Sequence, residues 1–143
     1  EIDKKNGLRF AYHNHEYSFK KREGIYLQDV LMNNTDPALV DFEMDIYWVV
    51  AAGEDPLKWF DKHPGRFTYC HVKDLLNLDK KNKRGDLFES CTLGKGSIDF
   101  QKIISHGAKK GLNTFIVEQE AYRGTNPMEA AKDNVNYMVN LKV

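Results

Sequence analysis

His13, His15, Asp45, His71 and Glu118 have side chains that could hold a metal ion or move a proton. Imidazole and carboxylate are common ligands of divalent cations, and both serve as general acids and bases. Each residue sits at or just past the end of a short apolar run: LRFAYH, ALVDFEMD, RFTYCHV or TFIVE. Helical patterns lie between the runs. Parallel strands in an α/β fold place their C-terminal ends on one rim, so groups scattered over ~100 residues can converge there. The pattern predicts a metal-dependent enzyme.

The elements that must position these groups read as strand then helix, four times over. Strands are expected at Leu8 to His13, Leu39 to Asp45, Phe67 to Val72 and Thr114 to Glu118. Tyr26 to Asn33 predicts a helix with Leu27, Val30 and Leu31 on its apolar face, broken by Asn33-Asn34-Thr35-Asp36-Pro37. Ile46 to Ala52 reads as a turn of helix. Asp55 and Pro56 begin another that runs to about His63, as N-cap and first position. Asp99 caps a helix with Phe100, Ile103, Ile104 and Ala108 facing inward, which ends at Gly111. A last helix would bury Met128, Ala131, Val135 and Met138. Lys73 to Ser97 reads as one long polar loop, and loops of that length are usually functional. Within it, Gly94-Lys95-Gly96 could cradle a phosphate with backbone N–H groups, although a plain turn is the commoner meaning of so short a motif.

Alternation of strands and helices predicts an α/β fold with a parallel sheet covered by helices. Four βα units are half of the eight that close a barrel, and an isolated arc would expose its edges. EIDKKNGLRF reads as the end of a helix, a glycine stop and a strand, so further sequence before Glu1, or a second copy, is expected to complete the unit. The 143 residues suffice for one core. Lys plus Arg equals Asp plus Glu, which leaves no basic footprint and predicts no nucleic-acid partner. Lys20-Lys21-Arg22 and Lys80-Lys81-Asn82-Lys83-Arg84 are read as solvated loop charges. No apolar stretch approaches the ~20 residues that cross a bilayer, so no membrane partner is predicted. Two cysteines make no disulfide framework, and Cys70 reads as a small buried hydrophobe.

Five motifs occur in order: YHNHE at 12–16, DIYWVVAAGEDP at 45–56, HVKD at 71–74, LGKGSIDF at 93–100 and IVEQE at 116–120. Together they resemble the sugar phosphate isomerase/epimerase family, the xylose-isomerase-like TIM barrels. The resemblance runs from Gly7 to Val143 and matches the second half of such a barrel, units five to eight, so residues 1–143 are expected to form one half-barrel unit. It implies one divalent metal ion at the barrel mouth (Mn²⁺, Zn²⁺, Co²⁺ or Mg²⁺), held by Asp45, His71 and Glu118. His13 stands where many relatives have the first Glu ligand. His15 falls where some dehydratase relatives place a catalytic His, and Trp48 where some relatives have another His.

The chemistry implied is proton transfer next to a carbonyl of a carbohydrate. A metal grips the carbonyl and its adjacent hydroxyl, and an enediolate forms close to the cation. Isomerisation, epimerisation and β-elimination share that first step. Glu118 and His15 are the expected acid–base pair, and Lys73, on the face of His71 by parity, would bind a hydroxyl or neutralise an alkoxide. Glu16 and Trp48 are expected to touch substrate.

Each residue also has a plainer reading. His71 could be a hydrogen-bonded strand end, Asp45 a helix cap, and Glu118 a solvated charge; Glu120 rivals Glu118 by parity. Tyr47 and Trp48 could be packing alone. Glu43 reads as a structural ion pair with Arg9 or Lys73, since a buried unpaired carboxylate is costly. His63 and His106 read as surface residues near helix ends. Three rival functions remain: a dehydratase of the same fold acting on an inosose or 3-keto sugar, an abasic-site endonuclease, and an inactive pairing module. The endonuclease needs three zinc ions and more ligands than these strand ends supply.

Overall fold

The computed structural model describes residues 2–76 and 89–142, and the Lys80–Arg84 charge cluster lies outside them. The first half contains helix α1 (Ile2–Lys5), strand β1 (Phe10–His13), a 3-10 turn (Glu16–Phe19), a short hairpin of β2 (Lys21–Arg22) and β3 (Ile25–Tyr26), helix α2 (Leu27–Asn33), strand β4 (Val40–Asp45), and helices α3 (Ile46–Ala51) and α4 (Pro56–Lys62). Strand β5 (Phe67–Val72), a ribbon of β6 (Asp74–Leu76) and β7 (Glu89–Cys91), helix α5 (Phe100–Ala108), strand β8 (Thr114–Val117) and helix α6 (Pro127–Asn140) follow.

Strands β1, β4, β5 and β8 form one parallel sheet in that order, the expected α/β arc of four βα repeats. On β4, Phe42 and Met44 point into the core, while Asp41, Glu43 and Asp45 line the other face by parity. Phe42, Met44, Cys70, Val72, Trp59, Phe60, Phe100 and Ile104 fill the space between sheet and helices. Full burial of one such large side chain contributes roughly 1.5–3 kcal/mol.

The register between β4 and β5 slips by one residue after Phe42. Phe42 pairs with Phe67, but Glu43 pairs with Tyr69 and Asp45 with His71. Without that slip Asp45 would lie beside Cys70. The irregularity therefore sets two polar strand ends side by side.

The helix starts follow local chemistry. Asp45, Asp55, Asp99 and Asn126 each accept a backbone N–H of the first turn, and Pro56 and Pro127 occupy initial positions where the missing N–H costs nothing. Gly107 is a packing requirement, since a Cβ there would come within 2.8 Å of Leu112 and Phe60.

Several expectations need correction. Helix α2 buries Gln28, Asp29 and Met32 and leaves Leu27 and Val30 exposed, because Asp29 pairs with Lys62, the last residue of α4, and with its C-cap His63. His63 is therefore largely buried, not a surface residue, and it stacks on Trp59. His106 pairs with Asp61. Helix α5 buries Gly107 where Ala108 was expected. Helix α6 turns Ala130, Asn134 and Tyr137 inward and leaves Met128, Ala131 and Val135 outside. The segment expected as a loop after Val72 contains the antiparallel ribbon β6–β7. Lys21 and Arg22 lie in a hairpin strand, exposed as expected of solvated charge.

Candidate metal centre

Asp45 ends β4 and caps α3, and both duties fix its carboxylate. Oδ1 accepts the Trp48 N–H at 3.2 Å. Oδ2, with the side chain fully buried, faces two imidazoles: Nε2 of His13 at 3.2 Å and Nδ1 of His71 at 3.5 Å. One ligand atom from each of His13, Asp45 and His71 lies within 4.8 Å of the others. The three residues come from β1, β4 and β5, and adjacent parallel strands bring them to one rim.

Asn14 continues the β1–β4 ladder past the last strand residue. Its side chain donates to the Asp45 carbonyl at 3.2 Å and accepts the Asp45 N–H at 3.1 Å, and it is completely buried. The amide thus imitates a strand backbone and locks His13 and Asp45 in register. Sequence reasoning missed it, although its place between two histidines was the available signal.

Glu118 lies one residue beyond β8, where its N–H bonds to the Val72 carbonyl. Its Oε2 is 3.2 Å from His71 Nδ1 and 3.4 Å from Lys73 Nζ. It flanks the three-residue cluster rather than belonging to its tightest set. Lys73 is buried among Glu118, Glu120 and the rings of Tyr47 and Trp48, with Nζ 4.8 and 5.2 Å from the ring centroids. Glu120 therefore answers Lys73 and does not replace Glu118.

His15 is half-buried, edge-on to Trp48 at 5.3 Å between ring centroids and 4.9 Å from the His13 ring. Its Nδ1 lies 3.3 Å from the Tyr17 hydroxyl. Tyr47 is buried packing, whereas Trp48 is only partly covered and edges the His15 side of the cluster. Glu16 opens the 3-10 turn, and among the described residues it makes no hydrogen bond or ion pair to the cluster.

Glu43 departs from its expected partners. Arg9 is taken by both oxygens of Asp41 at 2.5 and 2.7 Å, and Lys73 by Glu118 and Glu120. Glu43 Oε1 instead lies 3.3 Å from Nε2 of His71. Gly94-Lys95-Gly96 takes the commoner of its two readings, a turn, and its N–H groups are not free for a phosphate. The buried Asp74 carboxylate already accepts the N–H groups of Gly94 at 2.9 Å and Gly96 at 3.0 Å, with Leu75 and Ile98.

The electrostatics favour a cation. Burial alone would raise the Asp45 carboxyl, but the His13 and His71 imidazoles beside it and the Trp48 amide outweigh burial and hold its pKa below the ordinary range. The Asp45 carboxylate, against the opposing effect of burial and with help from Glu43 and Glu118, lifts His71 above the ordinary imidazole range. His71 Nδ1 is buried, and neither nearby carboxylate oxygen is aligned to form a hydrogen bond with it. Such an orphan is rare. Two imidazoles and a buried carboxylate, with that nitrogen turned toward them, fit the donor set of a divalent ion.

No family model matches the chain. It is 30% identical over 142 residues to an inosose dehydratase of Bacillus licheniformis, covering 92% of this chain and 47% of that protein. Similarity to an inosose dehydratase of Clostridium tetani is 29% over 144 residues, with the same coverage. The chain thus spans about half the length of the curated relatives it matches. Among solved structures, a sugar phosphate isomerase/epimerase from Parabacteroides distasonis superposes with a TM-score of 0.78 at 28% identity, over 97% of this chain and 49% of that one. A xylose isomerase-like TIM barrel/4-hydroxyphenylpyruvate dioxygenase fusion protein shares the fold, with a TM-score of 0.68 at 16% identity over 96% of this chain and 22% of that one. In sequence and fold together, this chain is similar to about half of a sugar phosphate isomerase/epimerase and of the inosose dehydratases, and it shares the fold of the xylose-isomerase-like TIM barrels.

Proposed function

We propose that this chain carries the metal-binding side of a TIM-barrel enzyme that moves a proton next to the carbonyl of a carbohydrate. The observation that carries the reading is the meeting of His13, Asp45 and His71, from three strands, within 4.8 Å, with Glu118 beside them. A divalent ion bound there would act as a Lewis acid on the sugar carbonyl and its neighbouring hydroxyl. The chain's own groups do the rest. Glu118 is the most open carboxylate of the group, so it can reach a substrate carbon and take or return the proton. Lys73, held against Glu118, offsets negative charge as it develops on a sugar oxygen. His15 supplies a second proton-transfer group, and Trp48 gives the sugar ring an apolar wall. Glu16, on the turn after His15, would reach a substrate hydroxyl.

After the proton is removed, the reaction can proceed in two ways. Return of the proton to a neighbouring position gives isomerisation or epimerisation. Departure of a β-hydroxyl gives dehydration, and the names of the inosose dehydratase relatives favour this second outcome, as does a histidine at the end of β1.

The test is metal content of purified protein, wild type against His71→Ala, followed by a keto-sugar panel read by product mass. Bound divalent metal that His71→Ala loses is the expected result, and equal metal in both proteins would sink the reading. Loss of a water from the product identifies the dehydratase.

A further inference from the structure

The His71 ring has carboxylates on both sides. Nδ1 faces Asp45 Oδ2 at 3.5 Å and Glu118 Oε2 at 3.2 Å, while Nε2 lies 3.3 Å from Glu43 Oε1. The side chains of Glu43 and His71 are each only 16% exposed, so little water competes for that contact. Among the described residues Glu43 has no other cationic partner, because Arg9 and Lys73 are engaged elsewhere.

A neutral imidazole carries one proton, and its position decides what the ring can do. With the proton on Nδ1, the Nε2 lone pair would face a carboxylate, and the cluster would meet an N–H that cannot ligate. With the proton on Nε2, Glu43 is the acceptor within reach at 3.3 Å, and the Nδ1 lone pair is turned toward Asp45, Glu118 and the cluster. Only the second arrangement leaves the cluster-facing nitrogen able to ligate, and a cation there would separate its lone pair from the Asp45 and Glu118 oxygens. The two ring nitrogens diverge, so Glu43 sits outside the space where Nδ1 would share an ion.

We infer that Glu43 is a positioning residue that holds the Nε2–H of His71 and thereby turns the Nδ1 lone pair into the cluster. A carboxylate behind a ligating imidazole sets the tautomer, fixes the ring and raises ligand basicity. The inference rests on the metal-centre reading above. The sequence allows it too: Glu43 and Asp45 are two apart on one strand face, and the register slip after Phe42 brings His71 level with Asp45.

Two measurements test it. In Zn²⁺-loaded wild-type protein, ¹⁵N NMR reads which nitrogen of His71 carries the proton. The Nε2–H form is expected, and an Nδ1–H form overturns the inference whatever the variants do. Zn²⁺ titration of wild type, Glu43→Gln, Glu43→Ala and His71→Ala then reads the consequence. Glu43→Ala, with unchanged circular dichroism, should bind ~10–100-fold more weakly. Glu43→Gln keeps an acceptor oxygen and should lose less. Wild-type affinity in Glu43→Ala overturns the inference, and so does a loss as complete as that of His71→Ala, which would make Glu43 a ligand. If wild type binds no Zn²⁺, the metal-centre reading fails and the role of Glu43 falls with it, whereas Zn²⁺ bound with equal affinity by wild type and Glu43→Ala overturns the inference alone.

Discussion

At the scale of single residues, burial and partner together decide what a charged group is worth. Asp29 illustrates this away from the site. Burial alone would raise its carboxyl, but Lys62 and His63 outweigh burial and hold the pKa below the usual carboxylate range. A carboxylate depressed by folding contributes stability that is full above the unfolded pKa of about 3.9 and is lost as pH falls through the folded value. Asp29→Asn is therefore expected to be less stable than wild type by about 1–2 kcal/mol at neutral pH. Urea melts should show that gap closing in acid, and a gap unchanged by acid would contradict the assignment. The same interplay made some site residues legible and hid others. His13, Asp45, His71 and Glu118 stand at the ends of apolar runs, and that position alone told which groups could meet. Glu43 was assigned the wrong partners because sequence parity gives a face, not the identity of the nearest opposite charge. Arg9 lies just before β1, within reach of Asp41, the residue one same-face position before Glu43 on β4, and the ion pair formed there.

At the scale of elements, the segment after β5 shows how a polar stretch becomes ordered without a hydrophobic pattern. Asp74 gathers the amides of Leu75, Gly94, Gly96 and Ile98 on one buried carboxylate, and any side chain at Gly96 would collide with it. Ser90 on β7 then accepts the N–H groups of Glu120 and Ala121, each at 2.9 Å. Asn134 of α6 bonds to Leu93 N–H and to the Gln119 side chain. The ribbon thus holds the backbone that presents Glu118 and Glu120 to Lys73. Asp74→Ala would leave buried N–H donors unpaired at about 1–3 kcal/mol. Hydrogen exchange should show the Gly94, Gly96 and Ile98 amides losing protection together, and unchanged protection would refute the role. The ribbon was read from sequence as a loop because its ordering bonds are side chain to backbone, which leave no periodic signature. Helix α2 failed to match its expected face for a related reason: the ion pair to α4 outranks the apolar stripe Leu27–Val30, which faces out.

At the scale of the whole molecule, β1 and β8 each have an unpaired edge within the described sheet. Apolar side chains lie exposed in both terminal units, Leu8 and Phe10 at one end and Met128, Val135 and Val139 at the other. Edges of that kind recruit partners. We propose that another half-barrel, either the remaining length its relatives possess or a second copy, covers them. The purified chain should therefore sediment above its 16.6 kDa monomer mass, and it should turn over carbohydrate far below the ~10 s⁻¹ of a typical enzyme. A stable compact monomer would contradict the first expectation, and ordinary turnover by the chain alone would contradict the second. The sequence by itself determined the βα repeat, the helix caps at Asp55 and Asp99, and which groups end the strands, because hydrophobic period and capping chemistry are local. Tertiary structure alone decided that Asp45 lies beside His71 and not Cys70, that Asn14 completes a ladder, and that Glu43 backs an imidazole. Strand register and ion-pair choice are settled between segments about thirty residues apart, where only packing brings the partners together.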